Sequence, residues 1–420
     1  MRAPDHTRRV VVTGLGVISP VGNDRQTAWS NLVNGVSGIH EITKFDVSGY
    51  DQKAAGEVTD FVASEWMDAK AARRSEASLH YGVAAAKQAV ADSGFEISDE
   101  NRTDVGVVFG SGAGGQSLMI DNYQSLTERG PRTVAPTFIA NALVDSCSGM
   151  IAIETGAIGH NLCIVSACAT GTHNVAEAAE AIRRGDCIAI ISGSTEMPLL
   201  EVGHAGFGNM RGLGNPRPGE PISTVSRPFD LTRDGFVLGE GAASLFLEDL
   251  ELAKARGAKI YAEVVGYGSA ADGWDMIQPV EGGAGSARAM KMALDRRGVP
   301  AGEIDLINPH GTSTPLGDKR EAEAIWAVFG DHTPDIAISA TKSMTGHMMG
   351  AAGAFEAFAT VLSIVEQTVP ATLNYCDRDP ECDLNIPTET HEREIRYGLS
   401  NNIGLGGHNG AVIFRRYDGD

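Results

Sequence analysis

The chain has 420 residues, of which 42% are hydrophobic and 21% charged, and its formal net charge is −20. This acidic balance disfavours nucleic acid and anionic membrane surfaces as partners, and no apolar run is long enough to span a bilayer. The six cysteines form no CxxC pair, and the N-terminal segment MRAPDHTRRVVVTGLG lacks the apolar core of a signal peptide, which predicts a cytoplasmic protein with free thiols and no metal site.

The first half of the chain alternates short apolar runs with helical patterns. A predicted strand at 9–16 ends in Gly-Leu-Gly, but Ser19 holds the last position of a GxGxxG motif, so we reject a dinucleotide site. The glycine-rich segment 110–115 is interpreted as a tight strand-to-helix turn, because no lysine follows it. The other predictions in this half are helices at 24–34, 69–93 and 251–256, strands at 105–109, 188–192 and 243–247, and an irregular segment at 198–228.

A cysteine lies between a predicted strand and a predicted helix in the segment 161–185. Residues 162–165 predict a buried strand, and helical spacing begins at Val175 and stops at Gly185. Cys168 therefore lies near unpaired backbone N–H groups and the positive end of the helix dipole, which both lower a thiol pKa. Only the thiolate attacks a carbonyl carbon well, so Cys168 is a candidate nucleophile. A buried structural cysteine is the alternative interpretation.

The second half of the chain repeats the pattern of the first. Residues 263–268 match 11–16, and 336–341 match 164–168, each time as an apolar run followed by small residues. Strands that alternate with helices throughout predict an α/β protein with parallel sheets. We therefore predict two halves, 1–257 and 258–420, with the chemistry where their equivalent strand ends face each other.

Two histidines follow predicted strands in the second half. His310 stands in the loop PHGTSTPLGD after the apolar run 304–308, and His347 precedes an alanine-rich helix at 350–365. Each histidine alone is more often structural than catalytic. Together with Cys168 at the equivalent strand end of the first half, they predict one site.

Four motifs extend this interpretation: SACATGTHN around Cys168, RPFDLTRDGFVLGEGA at 227–242, NPHGTSTPLGDKREAEAI at 308–325 and ATKSMTGHMMGAAGAFEA at 340–357. They resemble the motifs of the β-ketoacyl-acyl-carrier-protein synthase II family, the elongating condensing enzymes of type II fatty acid synthesis in the thiolase superfamily. The resemblance runs in order from about residue 9 to residue 417. It implies a duplicated thiolase-like α-β-α-β-α five-layer sandwich, usually a homodimer.

The resemblance implies a decarboxylating Claisen condensation on substrates carried by acyl carrier protein (ACP). Cys168 would take the acyl group from acyl-ACP, and His310 and His347 would stabilise the enolate oxygen that develops as malonyl-ACP loses CO2. The carbanion would then attack the Cys168 thioester to give 3-oxoacyl-ACP. Lys342 and Glu356 match family positions that support the histidines, because buried charges are tolerated only in pairs. A solvated loop lysine and a helix-surface glutamate are the alternatives for this pair.

The family positions also indicate where substrate binds. The substrates arrive on the phosphopantetheine arm of ACP, and no cofactor is implied. Thr312, Thr314 and Asp318 match positions near that arm and the second histidine, whereas Phe207 matches an aromatic residue of the acyl pocket.

Docking of an acidic carrier protein on an acidic chain needs a local basic patch. The residues at positions that resemble the family's docking surface are Lys70, Arg73, Arg74, Arg132 and Arg211. For the first three, a solvated helix face is an equally good interpretation.

The chain departs from the family at its C-terminal motif, where phenylalanines usually form an FGFGG pattern. Ile403 and Leu405 replace both aromatic residues in NNIGLGGHN. The backbone N–H of Ile403 is expected to complete an oxyanion hole with that of Cys168, because backbone donors do not depend on the side chain. The exchange leaves open how tightly access to the cysteine is gated, and so the acyl chain-length preference.

Three other functions fit parts of the pattern. A polyketide or specialised-lipid ketosynthase would use the same site, and the altered gate keeps that interpretation open. A non-catalytic chain-length partner subunit is disfavoured by Cys168, since such subunits lose the nucleophile. A degradative thiolase is disfavoured because it uses a second cysteine as base, where this chain offers histidines.

Overall fold

The computed structural model describes residues 7–419; residues 1–6, which belong to the segment predicted to contain no signal peptide, and residue 420 lie outside the described part. The strands in this part are β1 (Val10–Ile18), β2 (Ile39–Glu41), β3 (Ala54–Gly56), β4 (Val105–Gly110), β5 (Asn161–Leu162), β6 (Ala189–Glu196), β7 (Leu238–Gly239), β8 (Gly241–Asp249), β9 (Ala262–Ala271), β10 (Leu306–Asn308), β11 (Ala337–Ile338), β12 (Thr368–Val369), β13 (His391–Glu392), β14 (Tyr397–Gly404) and β15 (His408–Arg415). The helices are α1 (Arg25–Val33), α2 (Ala69–Ala72), α3 (Ala77–Ser93), α4 (Gln116–Arg129), α5 (Phe138–Ala142), α6 (Ser146–Thr155), α7 (Thr170–Arg184), α8 (Glu201–Asn209), α9 (Leu250–Ala255), α10 (Ala284–Asp295), α11 (Pro315–Phe329), α12 (Lys342–Thr345) and α13 (Ala352–Glu366).

Ten strands form one hydrogen-bonded system in the order β11-β10-β14-β15-β9-β1-β8-β6-β4-β5. The order is symmetric about the contact between β1 and β9, which pair antiparallel only from Val10 to Val12. Each side of that contact holds five strands, and β5 and β11, β4 and β10, and β6 and β14 occupy equivalent positions. The repeat predicted from the sequence therefore corresponds to an internal pseudo-twofold relation.

The sheets are mixed, so the prediction of parallel sheets is wrong for much of the molecule. Strand β4 runs parallel to β5 and β6, and β10 runs parallel to β11 and β14. The other pairs, β6 with β8, β8 with β1, β1 with β9, β9 with β15 and β15 with β14, are antiparallel. Helix-strand alternation does not distinguish a hairpin such as β14–β15 from a crossover, because both leave buried apolar strands.

Two helices form the middle layer of the sandwich. Helix α7 packs on β4 and β6, α13 packs on β8 and β14, and the two helices contact each other. Helices α3 and α10 cover the outer faces of the two five-stranded halves. The expected five-layer α-β-α-β-α sandwich is confirmed. By length and composition Met349–Glu366 could cross a membrane, but 83% of it is buried, as in the core helix of a folded domain.

Several local predictions need correction. Of the predicted buried strand 162–165 only Leu162 belongs to a strand, and it is 44% exposed because β5 is the last strand of the sheet; Val165, outside β5, is 43% exposed. The predicted helix 69–93 is broken into α2 and α3, and the segment 198–228 contains α8. Strand β1 continues past Gly16, where a Cβ would lie 1.9 Å from the Ala85 carbonyl oxygen of α3, so this glycine allows close packing.

Candidate active site

Cys168 lies at the start of the central helix α7. The chain turns sharply before it, since Ala167 has a φ of 50°, an uncommon value for a residue with a Cβ. Residues Ala167–Ala169 form a 3₁₀ turn, and α7 follows directly from Thr170. The Cys168 side chain is 4% exposed and lines a cavity of 340 Å³. The predicted strand–cysteine–helix arrangement is therefore present, although its strand is short.

The electrostatic environment of the thiol differs from the prediction. Burial raises the pKa of Cys168 to about 11, while the backbone N–H of Leu405 and the Lys342 ammonium act in the opposite direction. The predicted lowering of this pKa is wrong, because desolvation of the thiolate outweighs the helix terminus. Besides the N–H of Cys168 itself, the backbone N–H that acts on the sulfur belongs to Leu405, two residues after Ile403, whose N–H was predicted to complete an oxyanion hole.

This pKa leads to a prediction about alkylation. We expect the rate at which iodoacetamide modifies Cys168 to rise about tenfold per pH unit from pH 7 to 9 without levelling off, since the thiolate fraction grows throughout that range. The measurement is modification of Cys168 followed by peptide mass spectrometry, with Cys168→Ala as the control for the other cysteines. A plateau below pH 8 would show that the thiol is already ionised and contradict the pKa assignment.

The two predicted histidines meet beside the sulfur. His347 Nε2 lies 3.0 Å from Cys168 Sγ. The rings of His310 and His347 are 5.2 Å apart between centroids and nearly perpendicular, at 89°. Burial, followed by the charge of Lys342, holds the pKa of both histidines well below the usual value. Both imidazoles are therefore neutral at pH 7 and able to donate one hydrogen bond each.

Lys342 and Glu356 form a buried ion pair behind the histidines. Lys342 Nζ donates to Glu356 Oε1, and the two residues are 2% and 1% exposed. Asn402 Nδ2 donates to Glu356 Oε2 at 2.7 Å and lies 3.4 Å from His310 Nδ1. The alternatives of a solvated lysine and a helix-surface glutamate are thereby excluded. The pair is linked to His310 through Asn402.

The cavity collects most of the predicted substrate contacts. Its lining includes half-exposed residues such as Met210 and Ile277, so it opens to the surface. The predicted residues that line it are Cys168, Phe207, Arg211, His310, Thr312, Thr314, His347, Ile403 and Leu405. Residues 168, 207, 310 and 403 are distant in the sequence, and the sandwich brings them to one cavity.

Asp318 is the predicted substrate-binding residue that does not line this cavity. It is fully buried in the first turn of α11, where it accepts hydrogen bonds from the backbone N–H groups of Phe229 at 2.7 Å and Ser313 at 3.1 Å. Burial raises its pKa to about 6, and Arg233 opposes that shift. Asp318 thus holds the loop that follows His310 and does not contact the cavity.

Two buried glutamates near the site were not predicted. Glu321 accepts the backbone N–H groups of His310 at 2.6 Å and Gly311 at 2.7 Å, and Glu196 accepts those of Gly112 at 2.8 Å and Gly350 at 3.0 Å. Glu321 belongs to the charged run DKREAEA, which in sequence looks like a solvated helix face. Glu196 ends β6, four residues after the predicted strand 188–192, and a carboxylate at the end of a buried strand was its available signal.

The predicted docking residues are all exposed. Lys70, Arg73 and Arg74 lie on or just after the short helix α2, Arg132 follows α4, and Arg211 lies at the cavity with a φ of 57°. Exposure fits both docking and a solvated face, so a docking role for the α2 group stays a prediction.

Comparisons with known proteins agree with this geometry. Residues 7–253 match the family model "Beta-ketoacyl synthase, N-terminal domain", and residues 261–376 match "Beta-ketoacyl synthase, C-terminal domain". The chain is 42% identical to the 3-oxoacyl-[acyl-carrier-protein] synthase 2 of Staphylococcus aureus (strain N315), over 98% of this chain and 99% of that protein. It is 45% identical to the protein of the same name from Coxiella burnetii, over 97% and 99% of the two chains.

Two solved structures have the same fold. One is a ketosynthase in complex with a type II polyketide acyl carrier protein, with a TM-score of 0.90 and 31% identity over 98% of this chain and 100% of the other. The second is the ishigamide ketosynthase/chain length factor, with a TM-score of 0.89 and 35% identity over 98% and 99% of the two chains.

Proposed function

The chain belongs to the β-ketoacyl synthase family, and from this premise we propose that it condenses malonyl-ACP with a Cys168-bound acyl chain to give 3-oxoacyl-ACP, the elongation step of type II fatty acid synthesis. The observation that carries the proposal is the contact of a buried thiol with one of two perpendicular, neutral histidines in the wall of one cavity. The names of the relatives from Staphylococcus aureus and Coxiella burnetii support the same reaction.

Acyl transfer to Cys168 is the first half-reaction. The Cys168 sulfur, 3.0 Å from His347 Nε2, attacks the acyl thioester carbonyl carbon, and the thiol proton passes to the departing pantetheine sulfur. The carbon–sulfur bond to pantetheine breaks, and the pantetheine thiolate leaves with that proton. The N–H groups of Leu405 and Cys168, which point to the sulfur, stabilise the oxyanion of the tetrahedral intermediate.

Condensation is the second half-reaction. The bond between the malonyl carboxylate and the α-carbon breaks, CO2 leaves, and the electron pair passes into the thioester enolate. His310 and His347 each donate a hydrogen bond to the enolate oxygen. Both imidazoles are neutral and keep their proton in this step, so neither ring has to regain a proton before the next turnover. The α-carbon then attacks the carbonyl carbon of the Cys168 thioester, a carbon–carbon bond forms, and the carbon–sulfur bond breaks. The cysteine leaves as a thiolate, which takes a proton from water. The Lys342 ammonium favours the neutral form of both histidines, whereas Glu356 pairs with Lys342 and is linked to His310 through Asn402.

The substrates reach the cavity on the phosphopantetheine arm of ACP, and the reaction needs no metal or other cofactor. Thr312 and Thr314 on the cavity wall contact the arm, and the acyl chain lies against Phe207. The exposed cations Lys70, Arg73, Arg74, Arg132 and Arg211 receive the acidic carrier protein. We also propose a cytoplasmic location and a division of the chain into two halves, 1–257 and 258–420.

A homodimer is part of the proposal. Strand β5 ends the ten-stranded system, and apolar side chains on and beside it are exposed, including Leu162 at 44%, Ile158 at 53% and Ile153 at 78%. An open strand edge with apolar neighbours is a favourable surface for a second copy, because pairing covers both. Dimerisation through this edge would extend the sheet across a twofold axis.

A polyketide or specialised-lipid ketosynthase is the second candidate, favoured by the aliphatic residues at positions 403 and 405 and by the structural relative that is a type II polyketide ketosynthase. The experiment that separates the candidates is mass spectrometry of the products formed from malonyl-ACP and acyl-ACP primers of graded length. One extension per saturated primer over a wide range of lengths supports fatty acid elongation. Repeated extension of one short primer to an unreduced polyketone supports the second candidate.

The two aliphatic residues that replace the phenylalanines of the family pattern, which control access to the cysteine, give a further prediction. Ile403 and Leu405 line the cavity, and each has less volume than the phenylalanine of the family pattern. We expect Ile403→Phe to narrow the range of accepted primers and to suppress malonyl-ACP decarboxylation in the absence of primer. Discrimination by shape in an apolar pocket is modest, about 1–3 kcal/mol per group, so the profile should narrow without a new product appearing.

The matched control for this variant is Ile403→Leu, which changes shape without adding a ring. Primer competition followed by product mass spectrometry measures the profile, and CO2 release without primer measures uncoupling. If Ile403→Phe leaves both unchanged, neighbouring side chains already fill the space and the gate is as tight as in the family.

A further inference from the structure

Arg233 joins three distant segments directly behind the cavity wall. It is 7% exposed, and its Nη1 donates to the Asp230 carbonyl at 2.8 Å and to Asp379 Oδ2 at 2.6 Å. Its Nη2 donates to the Pro315 carbonyl at 2.8 Å, and its Nε donates to the Thr314 carbonyl at 3.2 Å. All three guanidinium nitrogens thus have partners, and the proposed reaction uses none of these contacts.

The position of Arg233 is electrostatically unusual. Thr314 and Pro315 begin α11, and the N-terminus of a helix repels a cation. The charge is retained there because Asp379 pairs with it and Asp318 Oδ2 lies 3.6 Å from Nε. A lysine would satisfy the charge but could not reach the two carbonyls and the carboxylates together, since only the guanidinium fork has donors in these directions.

The segment that Arg233 holds is part of the cavity wall and carries the two threonines that the proposed function assigns to binding of the phosphopantetheine arm. Thr312, Thr314 and Pro315 line the cavity, and Asp318 binds the backbone N–H of Ser313 between them. Thr312 Oγ1 and Thr314 Oγ1 are 3.1 Å apart, so they form one polar patch. A shift of the Thr314 and Pro315 carbonyls moves this patch, whereas Cys168 has no direct contact with it.

We propose that Arg233 is a positioning residue for substrate binding: its guanidinium fixes the wall segment Thr312–Pro315 and thereby sets the affinity for the phosphopantetheine arm. The proposal rests on the proposed function and adds to it a residue that lies outside the cavity. It assigns Arg233 to binding of the arm and not to the chemistry at Cys168.

The test compares Arg233→Lys with Arg183→Lys. Arg183 is 2% exposed and donates to the Val264 carbonyl and to Glu180, but its partners do not line the cavity. For Arg233→Lys we expect KM for both acyl-ACP and malonyl-ACP to rise about tenfold, the size expected for misplaced hydrogen-bonding groups, with kcat within threefold of wild type. For Arg183→Lys we expect both constants to stay at wild-type values.

A second measurement is independent of turnover. S-methylpantetheine, an unreactive thioether, should protect Cys168 of the wild type from iodoacetamide, and about tenfold more of it should be needed in Arg233→Lys. Should that variant fail to fold, Asp379→Asn removes one partner of the guanidinium and is expected to give a smaller shift in the same direction.

The outcomes separate the two proposals. Equal protection of wild type and Arg233→Lys, or a fall in active fraction with unchanged KM, overturns the role of Arg233 and leaves the reaction intact. Absence of protection and of condensation in the wild type overturns the proposed function as well.

Discussion

Cys168→Ala is expected to abolish condensation, with a loss on the order of 10⁶-fold, the size observed when the nucleophile is removed from groups that act as a unit. The residual cavity and both histidines remain, so malonyl-ACP can still bind. The measurement is 3-oxoacyl-ACP formation from acyl-ACP and malonyl-ACP. Cys168 is buried against His347 Nε2, whereas Cys163 is half-buried and Cys187 lies just before β6, away from the histidines.

The matched controls for this variant are Cys163→Ala and Cys187→Ala, which should retain condensation. Acyl-ACP should add the mass of one acyl group to the wild type and to both controls, but not to Cys168→Ala. An acyl adduct mapped to Cys163 or Cys187 would overturn the assignment of the nucleophile.

Replacement of either histidine should affect decarboxylation most strongly. His310→Ala and His347→Ala each remove one donor to the enolate oxygen, which typically costs on the order of 100- to 1000-fold in rate. Both variants should still accept an acyl group, although His347→Ala should do so more slowly because His347 contacts the sulfur. The measurement compares CO2 release from malonyl-ACP with acylation followed by intact mass.

Acylation of His310→Ala is the control for the effect of the histidines on decarboxylation. His310 has no described contact with the sulfur, so acylation of His310→Ala should stay near the wild-type rate while its decarboxylation falls. A variant that decarboxylates normally would remove that histidine from the proposed mechanism. Equal loss of both half-reactions in His310→Ala would indicate a general disturbance of the site.

The residues at strand ends were the part of the site that the sequence could predict. Cys168, His310 and His347 each follow an apolar run and stand among small residues, and in layered α/β folds such positions converge. Their mutual distances, 3.0 Å from sulfur to nitrogen and 5.2 Å between rings, confirm that the three side chains meet. The internal repeat indicated in addition that Cys168 comes from one half of the chain and the two histidines from the other.

Properties that depend on tertiary packing could not be predicted. The pKa of Cys168 is set by burial beneath the turn between β14 and β15, and a local argument from the helix terminus gives the opposite sign. The same turn supplies the N–H of Leu405, two residues after Ile403, whose N–H was predicted for the oxyanion hole. Exposure of β5 depends on its place at the end of the sheet, which an apolar run does not reveal.

The sequence also did not predict which charged residues are buried. Asp318 and Glu321 occupy a sequence of mixed charge that is typical of a solvated helix. Yet Asp318 binds the backbone N–H of Ser313, and Glu321 binds those of His310 and Gly311. Arg233 holds the same loop from a segment about eighty residues earlier. Such anchors are defined by which loops meet in space, so the sequence alone names the residue types without their partners.

The most direct test of the proposed reaction is a chase of the acyl-enzyme. Purified protein is acylated by acyl-ACP, freed from excess carrier, and mixed with malonyl-ACP while its intact mass, CO2 and 3-oxoacyl-ACP are followed together. We expect the acyl mass on Cys168 to disappear as equal amounts of CO2 and of a product two carbons longer than the primer form. Loss of the adduct as free acid, or CO2 release without the extended product, would contradict the proposed condensation.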